Sequence, residues 1–478
     1  MESSKIFSIF DQITKIPRES GKEQKIIEFL INFAKEHSLE YKKDDAGNVV
    51  ILKPASRGME NAPTVVLQSH SDMVCEKNSD SRFNFDTDPI KYATEDGWLI
   101  AKETTLGADC GIGMAAQLAI LDSDDLFHGP LEALFTTEEE TGLTGAKSLK
   151  PGFISGNILI NLDSEDEGEL FIGCAGGIDT TSRFSYTVEN ADQNMEFFKA
   201  GFYGATGGHS GDDIHKNRAN AIQVMFRYLY LLSQSCEFSV CSVQGGNKRN
   251  AIAREAYAVI AMHPNQIQLA KKLFIQTERE AKEEHLLSDP DLYGIMESSL
   301  KESYFIDKKS VSNIINLLNG LPHGVLAMSQ DIPGLVETST NLASVKMDEA
   351  GIIRVGTSQR SSLNSARYNA ARRIESLFIL AGAKVTHESE YPGWKPRMDS
   401  VLLEISRKAY REIFGKDPVV RAIHAGLECG MFLNTYPKLD MISFGPTIRG
   451  AHAPGERLEI ASVEKFRKLL VVILERLK

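Results

Sequence analysis

Three consecutive glutamates, Glu138 to Glu140, stand in the segment TTEEETG, directly after the apolar stretch LEALF at 131–135. A carboxylate in such a position can accept a proton as a general base or bind a divalent cation. Acidic runs of this length are also common in solvated loops. Residue chemistry alone does not choose among the three carboxylates, so their role depends on the residues that lie near them.

Histidines and carboxylates of metal-binding type occur in four other segments. His70 and Asp72, in SHSDMV, are two residues apart, which places both side chains on one face of an extended chain. One of them can then bind a metal while the other orients the imidazole. Asp109 in LGADCGIG, Asp163 in NLDSEDEGE and His452 in GAHAPGE follow strands or adjoin glycines. Taken singly, each is equally well explained as a helix cap or a loop residue.

As a set, these residues indicate a hydrolytic metal site. Imidazoles and carboxylates without thiolates suit zinc, manganese or cobalt. Two divalent cations that share one carboxylate are a known arrangement for hydrolysis. A competing motif, GIGMAA at 111–116, matches the G-x-G-x-x-A pattern of dinucleotide-binding folds, but KETTLGAD precedes it where a strand is required. We therefore expect metal ions and not a dinucleotide.

Polar residues in the middle of the chain are candidates for substrate contacts. His209 lies in a GGHSG turn, which can bring a neutral donor or a cation to an anionic transition state. The same turn can also be a plain glycine loop with a capping serine. Asn250 in RNAIARE and Arg360 in GTSQRSS can add further contacts, although each is also an ordinary polar surface residue.

Strands and helices alternate over the first 180 residues. Strand patterns are GNVVILK, PTVVLQSH, LEALFTT and GNILINLD, and helix patterns are GKEQKIIEFLINFAKEHSLE and CGIGMAAQLAILD. This alternation predicts an α/β fold with a mixed, largely parallel sheet between helices. His70, the three glutamates and Asp163 each follow a strand, and ligands of open α/β sheets gather beyond the carboxyl ends of strands. These side chains are therefore expected at one edge of the sheet.

The patterns divide the chain into three stretches. Residues 1–182 form the first part of a catalytic domain, and residues 391–478 return to the same α/β style as its second part. Residues 183–390 combine shorter β patterns with two long helical ones, which predicts an inserted α+β domain.

Composition excludes several classes of partner. The length of 478 residues exceeds one core of usual size, so two domains are expected. A net charge of −12 disfavours nucleic acid. No apolar stretch approaches the roughly 20 residues that span a bilayer, and the N-terminal segment lacks the apolar core of a signal peptide. The six cysteines contain no CxxC pair. We expect a cytoplasmic protein without nucleic-acid or membrane partners.

Eight motifs together resemble the M20 metallopeptidases, in particular their aminoacyl-histidine dipeptidase branch, also called peptidase D or cytosol non-specific dipeptidase. In chain order they are LQSHSDMVCEKN, TTLGADCGIGMA, TTEEETGLTGA, NLDSEDEGELFIGCAGG, GGHSGDDIH, RNAIARE, HAGLECG and SFGPTIRGAHAPGE. The resemblance runs essentially from end to end. Cys110 departs from it, because the branch commonly has asparagine after the bridging aspartate.

The resemblance implies a centre of two divalent metals, with Zn²⁺ first and Mn²⁺ or Co²⁺ as alternatives. His70 and Asp163 would hold one metal, and Glu140 and His452 the other. Asp109 would bridge the two metals, and the peptide bond that follows it would be cis.

The resemblance also implies how the reaction proceeds. Asp72 would orient His70. Glu139 would be the general base, acting on a water that bridges the metals and attacks the scissile peptide carbonyl. Glu138 would be a bystander.

The inserted domain would form a lid over the substrate and contribute to a homodimer. His209 would stabilise the oxyanion. Asn250, Arg360 and the glycine turn at Gly426 would contact the terminal carboxylate and backbone of the substrate, and an arginine fork suits a carboxylate.

The expected function is metal-dependent hydrolysis of dipeptides, Xaa-His and broader substrates such as Cys-Gly. One alternative within the same fold is an amidohydrolase or tripeptidase that acts on N-acyl amino acids or tripeptides. Another is a catalytically inactive binding protein, which the intact metal-type residues and Glu139 argue against.

Overall fold

The structure is a computed structural model that describes residues 2–348 and 351–478. The chain forms two compact units. The first comprises residues 1–174, 394–422 and 427–478, and the second comprises residues 175–393 and 423–426. Within the described ranges, no helix combines the length and the apolarity required to cross a bilayer.

The first unit is built on a mixed eight-stranded sheet. From edge to edge its strands are Glu40–Lys43, Val49–Lys53, Leu131–Thr136, Val65–His70, Ile158–Asn161, Asp440–Ser443, Glu169–Cys174 and Val419–Ile423. The third to sixth strands of this order are parallel to one another. Antiparallel partners flank them on each side. The predicted α/β class is confirmed, with the parallel pairing concentrated in the centre of the sheet.

Helices cover this sheet because its central strands have no solvent-facing side. Val65–His70 and Leu131–Thr136 are buried at every position, a pattern that requires cover on both faces. Gln24–Glu36, Ala108–Leu121 and Val401–Phe414 pack against strands of the sheet. The other helices of this unit are Ser3–Ile13, Glu139–Gly142, Thr144–Ser148, Glu428–Thr435 and Ile460–Arg476.

A small antiparallel sheet completes the first unit. Its strands, in spatial order, are Ile448–Arg449, Arg457–Glu459, Trp98–Ala101 and Tyr92–Glu95. The turn between the first two of these strands contains His452. This sheet therefore joins a turn near the end of the chain to a segment near its beginning.

The second unit is an α+β structure, and neighbouring strands of its main sheet pair antiparallel throughout the described residues. In spatial order its strands are Tyr293–Ser298, Glu196–Tyr203, Ala256–Met262, Ser239–Gly246, Val336–Asp348, Ile352–Ser361, Gly176–Ser185 and Lys384–Tyr391, and Gly324–Met328 pairs with the fifth. Val188–Asn190 and Tyr304–Ile306 form a separate two-stranded ladder.

Four helices pack against the main sheet of the second unit. They are Ala221–Ser233, Ile267–Glu284, Lys308–Gly320 and Asn364–Leu380, and a short 3₁₀ turn, Pro264–Gln266, precedes the second. The first begins where Asn220 accepts hydrogen bonds from the amides of Ile222 and Gln223. Aromatic rings fill the core of this unit, with Phe202 stacked on Phe274 at a centroid distance of 4.9 Å.

Candidate metal centre

Five predicted metal-binding residues of the first unit come together at the carboxyl edge of the parallel strands. His70 is the last residue of its strand, and Asp163 lies two residues beyond another. Glu140 lies in a four-residue helix just after a third strand, and Asp109 lies in the first turn of a long helix. His452 reaches the same place from the turn of the small sheet. Parallel strands bring their ends to one edge, which explains how distant segments converge.

The carboxylate of Asp109 stands between two imidazoles. One oxygen lies 3.1 Å from Nε2 of His70, and the other lies 3.0 Å from Nε2 of His452. Each imidazole nitrogen also faces a second carboxylate: His70 is 3.3 Å from Asp163, and His452 is 3.1 Å from Glu140. Two donor sets therefore share Asp109. The predicted cis peptide bond between Asp109 and Cys110 is confirmed.

The chemistry of these donors fits divalent cations. Oδ1 of Asp163 and Oε1 of Glu140 are buried, and neither makes a hydrogen bond of good geometry among the described residues, although Oδ1 of Asp163 lies 3.3 Å from Nε2 of His70. Burial raises the pKa of Asp163 to about 7, and hydrogen bonds with Asp109 and Glu140 raise the pKa of His452 to about 11. Carboxylates crowded in a poorly solvated space favour additional positive charge. Bound cations would supply that charge and would be coordinated by these two oxygens.

Cys110 also lies close to this centre, but as a thiol. Its sulfur can be grouped with donor atoms of His70 and Asp163. Burial raises its pKa well above the usual range, and the sulfur donates to the carbonyl of Leu162 at 3.4 Å. Since the thiolate is the form that binds metals, the neutral thiol at this position agrees with a centre of imidazoles and carboxylates.

Asp72 positions three groups at once. Its side chain is fully buried, with Oδ1 3.2 Å from Nδ1 of His70. The carboxylate also accepts hydrogen bonds from the amides of Glu139 and Glu140, at 3.1 and 3.2 Å, and from the hydroxyl of Ser20 at 2.7 Å. Burial alone would raise its pKa, but the hydrogen bonds prevail and lower the pKa to about 2. Asp72 therefore fixes the imidazole and the glutamate turn relative to each other.

The three consecutive glutamates have different surroundings. Glu138 adopts a left-handed backbone conformation with φ of +50°, and its amide donates to Glu23 at 2.9 Å. Glu140 directs one oxygen towards His452. Burial raises the pKa of Glu139 well above its usual range. A carboxylate of raised proton affinity is a stronger base than an exposed glutamate, as a general base requires.

Sequence reasoning missed two buried acids of this region. Glu428 is 1% exposed and accepts hydrogen bonds from Gln68 at 2.6 Å and Thr136 at 2.8 Å. Burial raises its pKa to about 8. Glu456 lies four residues after His452 and accepts bonds from main-chain amides. Each acid lies next to or near a glycine in the motifs HAGLECG and HAPGE, which was the available signal.

The predicted substrate-binding residues belong to the second unit, where several of them are neighbours. The amide of Ser210, next to His209, donates to the carbonyl of Asn250 at 2.8 Å. Nε of Arg360 donates to the hydroxyl of Ser210 at 3.3 Å. Three predicted residues from separate segments therefore meet around the GGHSG turn.

The ring of Tyr391 connects Gly426 to Arg360. A Cβ at Gly426 would lie 2.9 Å from the ring of Tyr391. The hydroxyl of Tyr391 accepts a hydrogen bond from Nη1 of Arg360 at 2.9 Å. The close approach explains why a residue without a side chain stands there.

The chain is similar to known proteins over nearly its whole length. The sequence model described as peptidase family M20/M25/M40 matches residues 66–476. The cytosol non-specific dipeptidase of Escherichia coli K12 is 39% identical over 472 residues, which is 99% of this chain and 97% of the relative. The crystal structure of aminoacylhistidine dipeptidase from Vibrio alginolyticus is also 39% identical and superimposes with a TM-score of 0.93, covering 99% of this chain and 96% of its own.

A more distant structure shares the fold alone. Aminopeptidase PepT from Bacillus cereus is 15% identical, with a TM-score of 0.59 over 100% of this chain and 99% of its own. The match of the family model and the end-to-end identity with a relative lead to one assignment. The chain belongs to peptidase family M20/M25/M40.

Proposed function

We propose that this protein is a dipeptidase that uses two divalent metal ions to hydrolyse Xaa-His and other dipeptides, such as Cys-Gly. The observation that carries the proposal is the pair of donor sets that share the carboxylate of Asp109. The names of the relatives, a cytosol non-specific dipeptidase and an aminoacylhistidine dipeptidase, support dipeptides as the substrate class.

Five residues would hold the metals in this proposal. His70 and Asp163 would hold one ion, Glu140 and His452 would hold the other, and Asp109 would contact both. We assign Zn²⁺ to the site first, since imidazole and carboxylate donors suit it, with Mn²⁺ or Co²⁺ as alternatives. When bound, such ions polarise carbonyl oxygens and lower the pKa of water.

Residues of the chain would then move the proton and hold the geometry. Glu139 accepts a proton from the attacking water and delivers it to the leaving amine. Asp72 keeps the imidazole of His70 oriented and holds the amides of the glutamate turn. The separation of roles between adjacent glutamates follows from their different neighbours.

Residues of the second unit would bind the substrate. We assign oxyanion stabilisation to His209, and contacts with the terminal carboxylate and backbone of the dipeptide to Asn250, Arg360 and Gly426. Residues 183–390 would act as a lid. If Arg360 binds the carboxylate, Arg360→Lys should raise KM by about tenfold or more through loss of a charge-assisted, two-point contact. An unchanged KM would remove Arg360 from this role.

Metal removal and a substrate panel test the function. Chelation should abolish hydrolysis of dipeptides, and added Zn²⁺, Mn²⁺ or Co²⁺ should restore it. The panel contains carnosine, Cys-Gly, N-acetyl amino acids and tripeptides. Activity that survives full metal removal would refute the metal-dependent mechanism, and preference for acylated amino acids or tripeptides would replace the dipeptidase assignment.

We also propose a cytoplasmic homodimer. The name of the E. coli relative supports a cytosolic location. Sedimentation equilibrium of the purified protein tests the oligomeric state, and cell fractionation tests the location. A mass equal to one chain at micromolar concentration, or recovery in another fraction, would contradict the respective proposal.

A further inference from the structure

The buried carboxylate of Glu456 accepts hydrogen bonds from four consecutive main-chain amides. Oε2 accepts from Leu106 at 2.8 Å and from Gly107 at 2.9 Å, and Oε1 accepts from Ala108 at 2.8 Å and from Asp109 at 3.3 Å. The glutamate is only 2% exposed. A carboxylate that accepts this many amides fixes the backbone of the segment whose last residue is Asp109.

Arg18 holds the same segment from its carbonyl side. This arginine is also 2% exposed and donates to the carbonyl of Gly107 and to those of Ser71 and Asp72. A Cβ at Gly107 would lie 2.5 Å from Nη2 of the guanidinium, and a Cβ at Gly111 would lie 2.8 Å from it. The guanidinium therefore occupies space that two glycines leave, and it joins the loop after His70 to the loop that ends at Asp109.

The main chain around Glu456 is tied to the same region. The amide of Ala101 donates to the carbonyl of Glu456 at 3.0 Å, and the amide of Gly455 donates to the carbonyl of Thr104 at 3.1 Å. His452 lies in this turn. Glu456 thus links the turn of His452 to the segment of Asp109, as Arg18 links that segment to the loop after His70.

We propose that Arg18 and Glu456 are positioning residues that hold the loops of His70, Asp109 and His452 in place before any metal binds. This inference rests on the proposed metal centre. Several carboxylates lie within hydrogen-bonding distance of the same imidazoles, so their mutual repulsion would push flexible loops apart in the absence of cations. The hydrogen bonds of Glu456 and Arg18 hold the segment that ends at Asp109 from both sides and oppose that repulsion; we call this pair of residues the clamp. The metals would then bind to ligands that are already in position.

Metal titration of Glu456→Gln tests the clamp without using catalysis. The full-length protein is freed of metal and titrated with Co²⁺, followed by visible absorption and calorimetry. The matched control is Glu132→Gln, because Glu132 is also buried and accepts from the amides of Ser155 and Gly156 and from the Ser155 hydroxyl. Glu132 contacts none of the proposed ligand loops through these bonds. Thermal unfolding of the metal-free variants measures the general cost of each substitution.

Glu456→Gln should raise the Kd for Co²⁺ by about 10–100-fold, the usual effect of losing a partner that orients a ligand. Glu132→Gln should change the Kd by less than about tenfold at a comparable loss of thermal stability. Glu456→Asp, which keeps the charge, should restore part of the affinity. Equal Kd values for wild type and Glu456→Gln would overturn the role of Glu456.

Arg18→Lys provides a second test that does not depend on Glu456→Gln folding. Lysine keeps the charge but cannot reach three carbonyls with a planar fork. Its control is Arg367→Lys, since Arg367 is 1% exposed and donates to Glu390 and to a carbonyl in the second unit. Weaker Co²⁺ binding only in Arg18→Lys supports the clamp, and unchanged binding refutes it. A wild-type protein that binds two ions tightly but cleaves no dipeptide would refute the proposed function and leave the clamp intact.

Discussion

Glu139→Gln is the substitution that most directly separates metal binding from proton transfer. Glutamine has nearly the same shape as glutamate, so the amide of residue 139 can still donate to Asp72, as it does at 3.1 Å. The substitution removes the negatively charged oxygen that would accept a proton. Glu139 is not among the groups of described residues whose donor atoms lie close enough together to hold a metal ion. Both metals should therefore remain bound.

The expected loss of rate follows from the role of a general base. Proton transfer by a positioned side chain contributes about 10²- to 10⁴-fold. At about 1.4 kcal/mol for each factor of ten, this corresponds to roughly 3–6 kcal/mol of transition-state stabilisation. The loss should appear in kcat, because the carboxamide leaves the metal ligands in place.

The neighbouring glutamates are matched controls in the same turn. Glu138→Gln should change kcat little, since the contact of residue 138 with Glu23 uses its main-chain amide. Glu140→Gln removes the charged oxygen that lies 3.1 Å from Nε2 of His452. That variant should bind one metal more weakly, and its activity should recover partly when the metal concentration is raised.

The assay measures initial rates of dipeptide cleavage at saturating metal, together with metal content by atomic emission. The expected pattern is an inactive Glu139→Gln protein with two metals and an active Glu138→Gln protein. If Glu138→Gln is inactive with both metals bound and Glu139→Gln is active, the assignment of the base is wrong by one residue. If both remain active, neither Glu138 nor Glu139 is the base.

Two further predictions concern stability. Gly107→Ala should lower the free energy of unfolding by about 1–3 kcal/mol, because the added Cβ would overpack against Arg18. Gly152→Ala is the control and should cost less, since Gly152 has a similar positive φ and no described atom lies within 4 Å of the added Cβ. Equal losses in urea titrations would refute overpacking against Arg18 as the cause. Burial, with a smaller effect of His285, lowers the pKa of His323 from 6.5 to about 4, so its stabilising contribution is complete above pH 6.5 and is lost as the pH falls towards 4. His323→Asn should remove up to about 3 kcal/mol of that acid dependence in urea unfolding between pH 7 and pH 4.5, and an unchanged dependence would contradict the prediction.

The positions of His70, Asp163 and the three glutamates were predictable because strand ends are visible in the sequence. The apolar stretch before His70 and the one before the glutamates are buried at every position. Such patterns predict central strands, and central strands of an α/β sheet end at the edge where ligands bind. The direction of the outer strands was not predictable in the same way. Val49–Lys53 has an apolar pattern like that of its neighbours, yet it pairs antiparallel, because periodicity reports burial and not strand direction.

Contacts that depend on main-chain amides also could not be predicted from the sequence. The spacing of His70 and Asp72 predicted one face of a strand and hence their contact. It did not predict that Asp72 would also accept the amides of Glu139 and Glu140. Arg18 and Glu456 were missed for the same reason, since their partners are backbone atoms that any residue type would offer.

The hydrogen bonds divide the acids around this centre into two groups. Asp72 accepts two amides and a hydroxyl, and Glu456 accepts four amides. In the described part of the chain, Asp163 and Glu140 each retain a buried oxygen that makes no hydrogen bond of good geometry, and that of Asp163 has Nε2 of His70 at 3.3 Å. A buried oxygen without a donor is costly unless a cation pairs with it, whereas a carboxylate surrounded by amides is already stabilised and gains less from a metal. On the proposed assignment, the same residue type would serve as metal ligand or as backbone anchor, according to the number of amide donors that converge on its carboxylate.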